Sequence, residues 1–232
     1  MPFLTLLILI AVAIFPALVW LVFFLREDIH PEPRKLITHT FMIGAFATAP
    51  ALLLQIGLKN IVDPSHVIVM LVGLALIEEV WKFLAAYYAI NKSPFFDEPI
   101  DAMIYMVVAA AGFATVENVL IALGSVGTAH APLLIDATNI LLLRFVGATL
   151  LHILASATVG YYWARGRQKK LGGGLILQGL IIATIIHFAF NYLIATFQDT
   201  NLIYASIIPI VAAFFVLNDF EALKKSDTQP IQ

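Results

Sequence analysis

Of the 232 residues, 61% are hydrophobic and only 12% charged, with a mean hydropathy of +0.95; this is not the composition of a water-soluble domain. A formal charge of −2, with the basic residues mostly at the ends of apolar runs, argues against a nucleic-acid surface. The absence of cysteine excludes disulfides, thiolate metal sites and cysteine nucleophiles. In hydrocarbon every backbone polar group needs an internal partner, so the choice lies between helices and a closed barrel, and the long continuous apolar runs select helices. The expected fold is all-α: one integral-membrane domain over residues 1–232, a polytopic transmembrane bundle of about seven spans.

The first apolar run, Pro2 to Leu25, has no Lys or Arg ahead of it and matches the ~20 residues a bilayer crossing needs, so it reads as a retained span rather than a signal peptide. The stretch Arg26-Glu27-Asp28-Ile29-His30-Pro31-Glu32-Pro33-Arg34-Lys35 is a tight polar connection. Further spans are expected at Leu36–Leu58, Val67–Ile90, Ile100–Leu123, Leu133–Ala164, Leu175–Phe197 and Leu202–Leu217. The fifth is overlong and is expected to begin nearer Ile140. Residues 218–232 are left as a cytoplasmic tail. With loops placed alternately on the two sides, one side collects Arg26, Arg34, Lys35, Lys92, Arg165, Arg167, Lys169, Lys170, Lys224 and Lys225, and the other only Lys59. Positive loops stay cytoplasmic, which puts the N terminus outside and the C terminus inside.

Lys82 and Arg144 fall within spans, as do Glu78 and Glu79 near the middle of the third. A charge at mid-membrane costs ~2.5–3.5 kcal/mol on insertion scales, so such residues face the bundle interior. On a helix Glu78, Glu79 and Lys82 project within roughly 100° of arc, which lets Lys82 hold one carboxylate ionised while its neighbour stays available. Counting inward from the expected cytoplasmic boundaries, Glu78, His152 and His187 are each twelve positions from theirs (Ile90, Ala164 and Leu175). Asn191 follows one turn further out on the His187 face, near the depth of Glu117. These residues are expected to line one cavity.

Two chemistries fit such a cavity. A carboxylate beside a lysine can act as general base toward water, a histidine can share or return the proton, and His187 with Asn191 at i and i+4 can donate to an oxyanion. Alternatively, Glu78, Glu117, His152 and His187 are candidate ligands for a divalent metal such as zinc, which lowers the pKa of bound water. No His-Glu-x-x-His pair and no Gly-x-Ser-x-Gly turn is present. Ser156 and the run Ala109-Ala110-Ala111-Gly112 read as helix-packing residues, Phe113 as core, and Arg144 as a partner for Glu117 or Asp136. Asn118 either orients Glu117 or bonds across helices, and His39 stays outside the site.

The segment Glu78-Glu79-Val80-Trp81-Lys82 resembles the E-E-x-x-K motif of the PrsW membrane proteases, bacterial enzymes that cleave anti-sigma factors. Phe96-Asp97-Glu98-Pro99-Ile100-Asp101 and Gly112-Phe113-Ala114-Thr115-Val116-Glu117-Asn118 resemble two further family segments, as do Asp28 with Pro31-Glu32-Pro33, Arg144 with His152, and His187-Phe188-Ala189-Phe190-Asn191. The similarity runs from about residue 28 to 191, with a protease-like core over about 28–197. It implies an intramembrane endopeptidase of a prokaryotic inner membrane, acting on a membrane-protein substrate such as an anti-sigma factor. The implied catalytic set is Glu78, Glu79, Lys82, Glu117, His152, His187 and Asn191. PrsW proteins are similar to the CAAX prenyl protease superfamily, in which a glutamate and a histidine activate water while a second histidine and an asparagine support the oxyanion. Here Glu117 stands where those proteins usually have a histidine, leaving His152 or Glu117 to move the proton. The rival reading is a proton-coupled transporter or channel using the same buried cluster; no internal repeat or paired broken helices favour it. A non-catalytic scaffold is a third.

Overall fold

The computed structural model describes residues 3–125, 143–169, 171, 173–197 and 201–227. Its seven membrane-length helices are α1 (Phe3–Phe24), α2 (Arg34–Ile61), α3 (Val67–Ile90), α4 (Asp101–Ser125), α5 (Phe145–Gln168), α6 (Gly173–Thr196) and α7 (Asn201–Asp227). Each is at least 22 residues long, enough at ~1.5 Å per residue to cross a hydrocarbon core of about 30 Å. No strand occurs among the described residues. Six of the helices are apolar enough by composition to be spans; α3, with Glu78, Glu79 and Lys82 at its centre, is not among them. Its Lys82 pairs with Glu79 within the helix, and side chains of neighbouring helices contact all three groups.

Helix α4 is the axis of the bundle. Residues Ala102 to Ala111 are all 0% exposed, because α1, α2, α3 and α5 pack around it. Small residues permit this enclosure. A Cβ on Gly44 of α2 would collide with the Ala109 carbonyl, and one on Gly112 of α4 with the Phe41 carbonyl, so the two backbones are in direct contact. The Ala109–Gly112 run is thus a close-packing face, and Phe113 is buried beside it.

The largest departure of a described helix end from expectation is in α7. Helix α7 does not stop at Leu217 but continues to Asp227, because Phe220 and Leu223 bury against the core and Lys224 pairs with Glu27 at 2.6 Å. The start of the fifth span near Leu133 or Ile140 lies outside the described residues. Within them α5 opens with a π-helical turn, Phe145–Thr149. Such widened turns recur at functional sites; here the Trp20 indole N–H donates to the Phe145 carbonyl at 2.8 Å.

The α1–α2 and α3–α4 connections lock together at one end of the bundle. Asp28 accepts from the backbone N–H groups of His30 and Glu32, and Asp101 from those of Asp97 and Glu98. Tyr105 donates to Glu32 at 2.5 Å, and His30 pairs with Glu98. Burial pushes the Asp28 and Glu32 carboxyls above their ordinary values of 3.8 and 4.5, although hydrogen bonds oppose the shift. An acid whose folded pKa is raised binds its proton more tightly in the folded state. Its contribution is therefore present below the unfolded pKa and is lost as pH rises through the higher folded value. In detergent, the thermal midpoint of Asp28→Asn/Glu32→Gln is expected to fall less than that of the wild type as pH is raised from 4 toward neutrality. Parallel pH profiles would reject this account.

Candidate active site

Four helices bring the ionisable residues of the spans together. α3 supplies Glu78, Glu79 and Lys82, one turn of a single face; α5 supplies His152 and, one turn on, Ser156; α6 supplies His187; α4 supplies Glu117. Glu79 and Lys82 are 0% exposed, His152 2%, His187 3% and Glu78 8%, so each polar atom needs a protein partner.

Glu79 is saturated. Its Oε1 accepts from Lys82 Nζ at 2.5 Å and lies 2.8 Å from His187 Nδ1, while Ser156 Oγ donates to Oε2 at 3.2 Å. Of the two adjacent glutamates, Lys82 therefore pairs with Glu79. Its Nζ also lies 3.1 Å from His152 Nδ1 and 5.6 Å from the centre of the Phe113 ring.

Glu78 is held differently. Its Oε1 accepts from Gln55 Nε2 of α2 at 2.7 Å, whereas its buried Oε2 has no hydrogen-bond partner among the described residues. That oxygen lies 3.6 Å from His152 Nδ1 and 3.7 Å from His187 Nε2, and the two imidazoles meet edge to face with centroids 4.9 Å apart.

The outer ring nitrogens explain what faces inward. A carboxylate at His187 Nδ1 requires an N–H there, which leaves the Nε2 lone pair toward Glu78. Glu117 Oε2 lies 2.7 Å from His152 Nε2 and by the same logic leaves the Nδ1 lone pair pointing inward. Three acceptors thus converge, His152 Nδ1 also facing the Lys82 ammonium at 3.1 Å, and one ligand atom from each of Glu78, His152 and His187 lies within 4.8 Å of the other two. Two imidazoles and a carboxylate, with carboxylates behind both rings, form a donor set of the zinc type with its orienting partners in place. The residues present fit a divalent cation.

Glu117, named with the other three as a candidate ligand, instead stands on the far side of the His152 ring and is not part of that converging set. Arg144 Nη2 donates to it at 2.7 Å while Arg144 Nε donates to Asn118 Oδ1 at 2.6 Å. Asn118 in turn donates to Thr149 in the π-helical turn and to the Ala13 carbonyl of α1. It bonds across helices and, among the described residues, reaches Glu117 through Arg144. The alternative Arg144 partner, Asp136, lies outside the described residues. Asn191, half-buried one turn beyond His187, takes no part in this network among the described residues. Ser156 donates to a carboxylate that two further groups already engage, the arrangement of an orienting hydroxyl. His39 is exposed on α2 and stays outside the cluster.

Gln55 was missed. It is the only polar side chain between Thr48 and Lys59, a signal present in the sequence: an isolated amide in an apolar span needs a partner on a neighbouring helix.

Comparison with known proteins decides the class. The model of the PrsW family intramembrane metalloproteases matches residues 32–217. The chain belongs to the PrsW family. Protease PrsW of Geobacillus kaustophilus is 28% identical over 148 residues, 62% of this chain and 60% of that protein's length. The Oceanobacillus iheyensis Protease PrsW is 24% identical, covering 84% of this chain and 86% of its own length, and that of Bacillus subtilis 24% identical, covering 76% and 78%. No solved structure matches the chain. The PrsW assignment places the chain among peptide-bond hydrolases of membranes, and the converging Glu78, His152 and His187 agree with the metalloprotease description. It favours the hydrolase over the proton-coupled transporter.

Proposed function

We propose that the chain is a zinc-type intramembrane endopeptidase of a bacterial cytoplasmic membrane, with Glu78, His152 and His187 as the protein ligands. The observation that carries this reading is the buried Glu78 Oε2, left without a hydrogen bond among the described residues and facing one nitrogen of each imidazole; a cation would engage all three atoms. The ion would supply Lewis acidity, lowering the pKa of water and polarising the scissile carbonyl.

The remaining roles belong to the protein. Glu79 fixes the His187 ring through Nδ1, with Lys82 and Ser156 fixing Glu79. Glu117, whose side chain is 26% exposed, is the most open carboxylate of the cluster. We assign it to orient the His152 ring through Nε2, with Arg144 in turn fixing Glu117. Asn191, on the His187 face of α6, is assigned as oxyanion donor.

The orientation, N terminus outside and C terminus inside, rests on the Lys and Arg asymmetry of the loops. The substrate is a membrane-associated protein, by resemblance an anti-sigma factor.

The test is metal content of the purified protein by mass spectrometry, with cleavage of a transmembrane peptide before and after chelation. One equivalent of zinc per chain and cleavage that chelator removes and zinc restores is the expected result. Metal-free, chelator-resistant cleavage would overturn the ligand assignment and return His187 and Asn191 to the role of oxyanion donors.

A further inference from the structure

Helix α2 faces lipid along much of its later half, where Leu53, Leu54 and Ile56 are exposed. Gln55 in their midst turns its amide inward and reaches α3, donating from Nε2 to Glu78 Oε1 at 2.7 Å. Only the NH2 end of an amide can serve a carboxylate, so the direction of the bond is chemically fixed.

The consequence is geometric. A glutamate carboxylate is broad about its last torsion, and its two oxygens are equivalent until something distinguishes them. Gln55 does so, holding Oε1 and turning Oε2 to the point 3.6 Å from His152 Nδ1 and 3.7 Å from His187 Nε2. The histidines of the cluster are oriented by Glu79 and Glu117. Among the described residues, Glu78 has only Gln55 as its hydrogen-bond partner. Ligand orientation by a hydrogen-bonded neighbour is worth about 10–100-fold in metal affinity at known sites.

We infer that Gln55 is a positioning residue that completes the metal centre by presenting a single oxygen of Glu78 to the ion. This rests on the reading that Glu78, His152 and His187 hold the metal. Gln55 acts through Glu78, so its loss alters the centre rather than substrate binding.

The test uses the full chain in detergent and three variants. Gln55→Met keeps length and removes the donor. Gln55→Asn keeps the amide but is one methylene too short to reach. Gln55→Leu is the membrane-compatible control for apolar packing. All three are expected to bind zinc about 10–100-fold more weakly in chelator competition, with kcat reduced at saturating zinc and KM within about twofold of wild type, since an outer partner tunes the ion rather than the substrate. The visible absorption of the cobalt(II)-loaded protein is expected to shift in each, reporting a changed ligand geometry that a merely structural role would leave alone. Zinc affinity within about twofold of wild type and an unchanged cobalt spectrum in Gln55→Asn would overturn the inference; that variant decides the matter should the apolar ones fail to fold. A wild-type chain that binds no metal would sink the centre and this inference together. A metal-binding wild type matched by its variants would sink the inference alone.

Discussion

Glu78→Gln and His187→Ala are each expected to leave a folded protein that no longer retains zinc and no longer cleaves peptide. Glu78 Oε2 is a buried acceptor with no hydrogen bond among the described residues, so converting the carboxylate to an amide removes a ligand without stranding a donor. His187→Ala removes Nε2 from the converging set and the Nδ1 contact to Glu79, yet Glu79 keeps Lys82 and Ser156. Loss of a ligand must exceed the roughly 10–100-fold that outer partners contribute, so zinc affinity should fall more than about 100-fold and turnover with it. Zinc stoichiometry after dialysis and single-turnover cleavage measure both. Retention of stoichiometric zinc by both variants would show that the ion, if bound, sits elsewhere. Glu117→Gln should be milder: losing the carboxylate behind the His152 ring is expected to weaken zinc about 10–100-fold, less than the loss of a ligand.

Much of this arrangement was legible before any coordinates. Seven helices follow from the apolar runs because hydrocarbon leaves the backbone no other choice, and Glu78, Glu79 and Lys82 announced an interior site because no lipid-facing position tolerates them. The shared depth of Glu78, His152 and His187 reflects a real meeting of three helices. What periodicity could not supply was the side of each ring. His152 touches Glu117 through one nitrogen and faces Glu78 through the other, and only side-chain placement separates a ligand from the carboxylate behind it. Gln55 escaped notice because α2 carries no ionisable residue at that depth and pattern alone does not say which helix an isolated amide addresses. The extension of α7 through Phe220 and Leu223 was hidden for a related reason. Asp219, Glu221, Lys224 and Lys225 end the hydropathy signal while the buried face of the helix continues.

Lys82→Met is expected to be the most destabilising single change in the cluster, and its cost should be largely reversible by a second change. Lys82 and Glu79 are both 0% exposed and 2.5 Å apart, so removing the ammonium leaves a carboxylate in a dry interior with only His187 and Ser156 against it. Breaking such a pair costs about 3–5 kcal/mol, whereas replacing both members by neutral groups is often nearly neutral. Glu79→Gln/Lys82→Met should therefore recover most of the lost stability, as read from reversible unfolding in mixed micelles. It should not recover activity, because the glutamine amide no longer supplies the charge that fixes the His187 tautomer. An additive double variant would mean that Lys82 acts on stability through His152 Nδ1, its other close contact at 3.1 Å, rather than through Glu79. The ion pair then persists for the site rather than for the fold: it holds one glutamate charged and immobile behind the ring of His187, so that the glutamate beside it, held by Gln55 through Oε1, keeps Oε2 free of hydrogen bonds among the described residues.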